Sequence, residues 1–236
     1  MTHKEYLNEL AGKFGIVLSD EQVSQFKTYG EFLVEYNEKV NLTRITDPLE
    51  IIEKHFVDSI APLTMTEIQK DAKIIDVGTG AGFPGVPMKI YRPDLNLTLL
   101  DSLMKRLNFL QELCDKLGIK SEFVHTRAEV GGIDPALREK YDVATSRAVA
   151  KLSVLCEYCL PYVKVGGMLA ALKGPDMAEE LESAKNAIAL LGGGEPQVTE
   201  YTLPNGDGRT LVVIRKERPT PKKYPRQRVK LNDKPL

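Results

Sequence analysis

The chain has 236 residues, 42% apolar and 28% charged, a composition that supports a buried core and excludes disordered, collagen-like or membrane-spanning classes. The formal net charge of −1 is unevenly spread: residues 215–236 hold nine Lys or Arg against Glu217 and Asp233, a net +7, which leaves −8 for residues 1–214. An acidic body with a basic tail points either to a polyanionic partner or to a merely solvated end. No apolar stretch resembling a signal peptide opens the chain, so a cytoplasmic protein is expected.

The first 70 residues read as a helical extension. A helix is expected over roughly residues 3–14. "SDEQVSQFKTYGEFLVEYNEKV" offers Ser19 or Asp20 as cap, with Val23, Phe26, Tyr36 and Val40 near helical spacing. In "TDPLEIIEKHFVDSI", Asp47 caps and Pro48 takes the first helical position, with Ile51, Ile52, His55, Phe56 and Ile60 on one broad face. His55 on that face reads as a satisfied core group.

From Lys73 the pattern alternates. "KIIDVG", "LTLLD", "SEFVHT", "YDVATSRAV" and "GGMLAALKG" are strands. Helices are expected over 84–91, 103–117, 151–163 and 176–191, with loop and partial helix at 128–140. Such alternation implies a parallel sheet covered on both faces. It stops at residue 195, where "PQVTEYTL" and "RTLVVIRK" are joined only by "PNGDG", too short for a parallel crossover. Five parallel strands and a terminal hairpin give the Rossmann-like layout of class I methyltransferases, a mostly parallel seven-stranded sheet whose last strand is antiparallel. The expected organisation is a helical extension (1–70), a core (71–217) and an extended basic tail (218–236). Cys156 and Cys159 are spaced C-x-x-C but share one face of a helix and read as core thiols; no metal is expected.

"DVGTGAGFPG" (76–85) is the chemically informative stretch. Gly80-x-Gly82-x-x-Gly85 fits the dinucleotide fingerprint literally, and Asp101 follows at a suitable distance. Pro84 and Pro87 remove backbone donors that a pyrophosphate would need, and Asp76 places negative charge beside it. A P-loop would end in Gly-Lys-Ser/Thr, which is absent. The frame Asp76, Gly78, Gly80, Gly82 matches the S-adenosylmethionine loop, where bare backbone admits an aminoacyl-sulfonium group. Asp101 would accept from ribose hydroxyls, a role compatible with capping the next helix. "TRAEV" sets Ala128 and Glu129 where an adenine edge would lie.

The fourth strand ends in "TSRAVA". It has neither the Asn/Asp-Pro-Pro-aromatic turn used for exocyclic amines nor a Pro-Cys nucleophile. An acceptor bringing its own lone pair, such as guanine N7, would need neither, leaving alignment and water exclusion to the protein. Arg147 is the charged residue there. It is expected to pair with Asp76 or Glu129 while bordering the cofactor, or to hold a phosphate or guanine O6, and it is a candidate positioning group; no residue is assigned as catalytic.

"NEKVNLTRITDP", "HFVDSI", "DVGTGAGFPGVPMKI", "DSLMKRLNFL", "TRAE", "YDVATSRAVAKL", "ALKG" and "PKKYPR" occur in this order, and over about residues 20–226 the chain closely resembles the glucose-inhibited division protein B family of bacterial 16S ribosomal RNA guanine-N7 methyltransferases. The resemblance implies cytoplasmic methylation of 16S ribosomal RNA with S-adenosyl-L-methionine; because a tail of +7 alone offers modest selectivity, the RNA is expected within a small-subunit particle or assembly intermediate, and a monomer is expected. The resemblance also implies cofactor contacts at Gly78, Phe83, Ala128, Glu129 and Arg147. It implies RNA phosphate contacts at Lys222, Lys223 and Arg226, with Tyr224 stacking on a base. The chain reads "QRVKLNDKPL" where a Gly-Thr-Pro stretch is expected in relatives. An RNA-binding assembly factor that keeps the cofactor fold, and a methyltransferase for a non-RNA substrate, remain as alternatives.

Overall fold

The computed structural model describes residues 2–227 and 229–236. Two helices open the chain, α1 (His3–Gly12) and α2 (Asp20–Asn37). Each starts in a capping box, Thr2 with Glu5 and Ser19 with Gln22, so paired side-chain bonds satisfy amides that a helix start leaves free. Next comes a composite helix: α3 (Pro48–Ile51), capped by Asp47 with Pro48 in its first turn, then a π-helix over Ile52–Val57, then α4 (Asp58–Ile60) and a 3-10 turn. The single broad helix expected here is thus underwound at the π-helix and then overwound at the 3-10 turn. Such π-helical insertions frequently mark functional positions.

The core follows as β1 (Lys73–Val77), α5 (Gly85–Tyr91), β2 (Asn96–Asp101), α6 (Met104–Leu117), β3 (Ser121–His125), α7 (Ala128–Gly131), β4 (Tyr141–Arg147), α8 (Leu152–Cys159), β5 (Val163–Lys173), α9 (Ala178–Leu190), β6 (Gln197–Thr202) and β7 (Gly208–Arg215). The seven strands lie in the order β3-β2-β1-β4-β5-β7-β6. The first five are parallel, and β7 inserts antiparallel between β5 and β6. The terminal hairpin expected from the short "PNGDG" connection is therefore present. β5 starts at Val163, earlier than its "GGMLAALKG" signal, and its pairing with β4 shifts register between Tyr141 and Val143.

Alternate side chains along each strand feed two cores. Ile74 joins Phe26, Phe56 and Leu110 on one face, and Ile75 joins Leu155, Cys159 and Ile188 on the other. The N-terminal helices therefore share a core with the sheet. Cys114, Cys156 and Cys159 are free and buried, and burial raises all three thiols above their ordinary range. Among the described residues, no helix is long and apolar enough to cross a membrane.

The tail departs from expectation. Described residues beyond 217 pack on the body. Tyr224 and Leu231 are buried, and Arg138 donates to the carbonyls of Thr220 and Tyr224. The buried Lys216 ammonium donates to Leu160 O, Val163 O and Thr220 Oγ1; burial pulls its pKa down to about 8. Proline content and charge argued for a solvated segment, but bonds to distant residues outweigh both.

Candidate functional site

A cleft of about 840 Å³ opens along the carboxyl ends of β1, β2 and β4, the position where open α/β sheets hold ligands. Its floor is the turn after β1. Gly78, Gly80 and Gly82 have φ of +73°, +60° and +98°, a region closed to ordinary side chains without strain. A Cβ at Gly82 would stand 2.6 Å from Tyr29 Oη and 2.8 Å from Leu110, so glycine is also required there for space. Gly78 and Thr79 amides both donate to Leu100 O, tying the turn to β2. Tyr29, wholly buried in α2, donates to Ala81 O and stacks on Phe83 at 5.2 Å, nearly parallel. The helical extension thus supports the turn from behind.

Asp76 is buried beneath this turn. Its Oδ2 accepts from Thr79 Oγ1 (2.7 Å) and Gly85 N (3.0 Å), while Oδ1 has no partner. Burial pushes the carboxyl up to about 6, against those two bonds and the nearby charge of Arg147. A Cβ at Gly85 would sit 2.8 Å from Asp76 Oδ2, so that glycine admits the carboxylate. Asp101, ending β2, is also buried. Its Oδ2 accepts from Gly80 N (3.0 Å) and Arg106 Nη1 (3.2 Å), and its Oδ1 from Leu103 N (2.9 Å). The carboxylate steadies the glycine turn and holds the Leu103 amide, but the N-cap of α6 is Leu103, so Asp101 does not cap that helix.

Beyond Asp101 the wall is the single turn α7. Ala128 O accepts from Tyr162 Oη (2.7 Å), and Glu129, nearly buried, accepts from Arg127 Nε (2.6 Å). Tyr158 completes this end. Gly78, Gly80, Phe83, Asp101, Ala128, Glu129 and Arg147 all line one cleft.

The opposite end corrects the sequence reading. Arg147 pairs with neither Asp76 nor Glu129. Its Nη1 donates to Asp58 Oδ2 (3.0 Å) and Lys54 O (3.2 Å), and its Nη2 lies 3.2 Å from His55 Nδ1. Lys54 and His55 of the π-helix and Asp58 at the start of α4 meet at the end of β4; residues three and four apart share a helix face, so the cluster follows ordinary spacing, while its pairing with Arg147 is long-range. Asp58 also accepts from Arg209 Nε (3.0 Å) on β7, so one buried carboxylate joins the extension, β4 and the hairpin. Arg147 lies over Phe83, 4.9 Å from its centroid, and His55 stacks on the same ring at 4.4 Å. Burial, reinforced by the charge of Arg147, pushes the imidazole down to about 3. His55 is therefore neutral. Its Nδ1 lies 3.2 Å from Arg147 Nη2 and 3.1 Å from Lys54 O, and its Nε2 is 3.0 Å from Thr43 Oγ1, so both ring nitrogens are engaged in either tautomer. The core role expected for His55 is half of the picture, since the ring also lines the cleft.

Asp58, Arg209 and Tyr29 were not singled out by sequence. Asp58 lies inside "HFVDSI", so a signal existed for it; Arg209 and Tyr29 carried none. The tail residues divide. Lys222 and Lys223 are exposed. Tyr224 is buried in the second core, so its ring is not offered to a base. Arg226 is engaged with Glu157, a wholly buried carboxylate of α8, through bonds of 2.8–3.2 Å, and is not free for a phosphate. Arg228, part of the basic run, lies outside the described residues.

The family profile described as rRNA small subunit methyltransferase G (GidB) matches residues 22–207. A relative named Ribosomal RNA small subunit methyltransferase G from Lactobacillus johnsonii is 54% identical, covering 100% of this chain and 100% of its own. One of the same name from Acetivibrio thermocellus is 50% identical, covering 99% and 96%. Among solved structures, a methyltransferase from Pyrococcus furiosus superposes with a TM-score of 0.56 at 17% identity over 81% of this chain and 98% of that one. TYW2 from M. jannaschii, solved with AdoMet, gives 0.51 at 14% identity over 64% and 70%. These likenesses show the fold, the class I methyltransferase sheet with a helical N-terminal addition.

Proposed function

The chain belongs to the rRNA small subunit methyltransferase G family, and from that premise we propose that it methylates N7 of one guanine in 16S ribosomal RNA with S-adenosylmethionine as donor. The cleft residues fit that cofactor. Asp76 is wholly buried behind the turn and does not itself line the cleft; its carboxylate puts negative charge beneath the place where a cationic aminoacyl-sulfonium group would lie. A Cβ at Gly80 would meet only Gly78 O, at 4.0 Å, so that side of the turn is open for close approach. When bound, the cofactor supplies an electrophilic methyl group on a positively charged sulfur. Phe83 and the glycine turn would border its methionine end, and Ala128 and Glu129 its adenine end. Asp101 would meet the ribose. A carboxylate offers about four acceptor positions, and three donors already occupy Asp101, so taking both hydroxyls requires Arg106 to yield.

The observation that carries the acceptor assignment is the lack, among the described residues of the Arg147 end, of an uncommitted base. Asp58 is neutralised by two guanidinium groups, and neutral His55 has both nitrogens engaged. An acceptor that must lose a proton before transfer finds no help here, whereas guanine N7 already presents a lone pair. The chain's contribution is then alignment: Arg147 is held rigidly beside Phe83, and the 42–45 loop, pinned by Thr43 to His55, closes the cleft.

The partner is 16S ribosomal RNA within a small-subunit particle or assembly intermediate, met in the cytoplasm by a monomer. The exposed pair Lys222 and Lys223 supports phosphate contact but gives modest selectivity alone, so the shape of the particle supplies the rest. The test uses small-subunit particles from a strain lacking the enzyme, incubated with methyl-labelled S-adenosylmethionine. Label in 16S ribosomal RNA is expected; RNA without label would refute the proposal.

A further inference from the structure

The adenine end of the cleft rests on α7, a helix of one turn, and an isolated turn has no stability of its own. Ala128 O, Val130 O and Gly131 O accept from the amides of Gly132, Ile133 and Asp134, which leaves Glu129 O and Gly132 O to the tail and its support. Gln227 Nε2 donates to Glu129 O at 2.6 Å. Arg138 donates from Nη1 to Gly132 O (2.8 Å) and Tyr224 O (2.9 Å), and from Nη2 to Thr220 O (2.6 Å), so one guanidinium clips the turn to the tail. Pro225 lies against Gly132, where a Cβ would come within 2.9 Å of its ring. Arg226 anchors the segment through its backbone amide and side chain on Glu157, in the same helix as the cleft residue Tyr158.

We propose that residues 220–227 form a strap that positions the adenine end of the cofactor site, with Gln227 as the residue that fixes Glu129. The proposal rests on the reading that Ala128 and Glu129 border the cofactor. It makes Gln227 a positioning residue: it reaches the cofactor only through the backbone of α7. It also means that the segment displaying Lys222 and Lys223 to RNA backs the wall of the cofactor cleft. The "PKKYPR" stretch thus has a structural office at the nucleoside site as well as any contact with phosphate.

The experiment compares full-length wild type with Gln227→Ala and Gln227→Lys. S-adenosylmethionine affinity is measured by calorimetry, amide exchange at residues 128–132 by mass spectrometry, and the thermal midpoint by scanning. Gln227→Ala leaves the Arg226–Glu157 anchor intact. It removes the bond to Glu129 O and a second, within the strap, to Pro225 O; losing the one to α7 is expected to weaken cofactor binding about fivefold and to speed exchange at 128–132, with the thermal midpoint and the KM for small-subunit particles unchanged. Gln227→Lys restores a donor to Glu129 O and is expected to recover most of the affinity. Unchanged affinity in Gln227→Ala, or a loss that Gln227→Lys does not recover, overturns the strap. A fall in midpoint that accounts for the affinity loss overturns it as well, because the effect is then general destabilisation. Wild type that binds no S-adenosylmethionine would instead refute the cofactor reading beneath it.

Discussion

Replacing Asp58 by Asn probes the junction on which the acceptor end is built. The carboxylate is 5% exposed and bonds Arg147 and Arg209, whose side chains are 14% and 21% exposed. Asn keeps one oxygen acceptor and presents an NH2 group to the other guanidinium, leaving a partly buried cation facing a donor. Removing one partner from a buried ion pair costs about 3–5 kcal/mol; the retained oxygen and the partial exposure of both arginines favour the lower end, about 3 kcal/mol. For a domain of this size each kcal/mol moves the midpoint by about 2–4 °C, so thermal unfolding should fall by about 6–12 °C. Calorimetric affinity for S-adenosylmethionine should change far less, since Asp76, Asp101 and α7 are untouched, while kcat/KM on small-subunit particles falls more than about tenfold. A midpoint within about 1 °C of wild type would show that the shared carboxylate does not organise this end.

Three further outcomes are expected. Asp101→Ala strands the amides of Gly80 and Leu103 and removes the proposed ribose acceptor, so S-adenosylmethionine should bind at least about tenfold more weakly by calorimetry. Cofactor affinity should rise with pH through about 6 and level off above it. The free-protein Asp76 carboxyl is pushed up to about 6 by burial, a nearby cation favours its ionised form, and below that pH binding must first expel a proton; titrations from pH 5 to 7.5 in wild type and Asp76→Asn would show the dependence and its loss. Replacing Lys222 and Lys223 together by Ala should reduce the slope of log affinity for RNA against log salt by roughly 1.5–2 while leaving cofactor affinity unchanged, because both side chains are exposed and touch no cleft residue.

The sheet was legible because both of its faces are covered. Ile74 and Ile75 had to be apolar in succession, and the glycine turn, Asp101 and the short hairpin connection carried their own chemical signatures. The floor of the cleft was equally local: Asp76, at the end of β1, and Gly78, Gly80 and Phe83 of the following turn are close in sequence, and their proximity needs no long-range information. Arg147 was misread because its partner Asp58 lies 89 positions away on α4, a pairing that no local pattern connects to β4. His55 looked like a core residue and is partly one, but its neighbour Arg147 comes from a strand 92 positions away. The tail was misjudged for the same reason. Proline and charge describe its local preference, whereas Glu157, Arg138 and Glu129, distant in the chain, decide where it lies.

The most direct test identifies the product. Small-subunit particles from a strain without the enzyme are treated with the protein and S-adenosylmethionine, and the 16S ribosomal RNA is then reduced with borohydride and cleaved with aniline, which breaks the chain at 7-methylguanosine. One new enzyme-dependent cleavage at a guanine is predicted, absent with Asp101→Ala at limiting cofactor. Methyl transfer without such cleavage, placing the group on an exocyclic amine or another base, would contradict an acceptor end that works by alignment without a base.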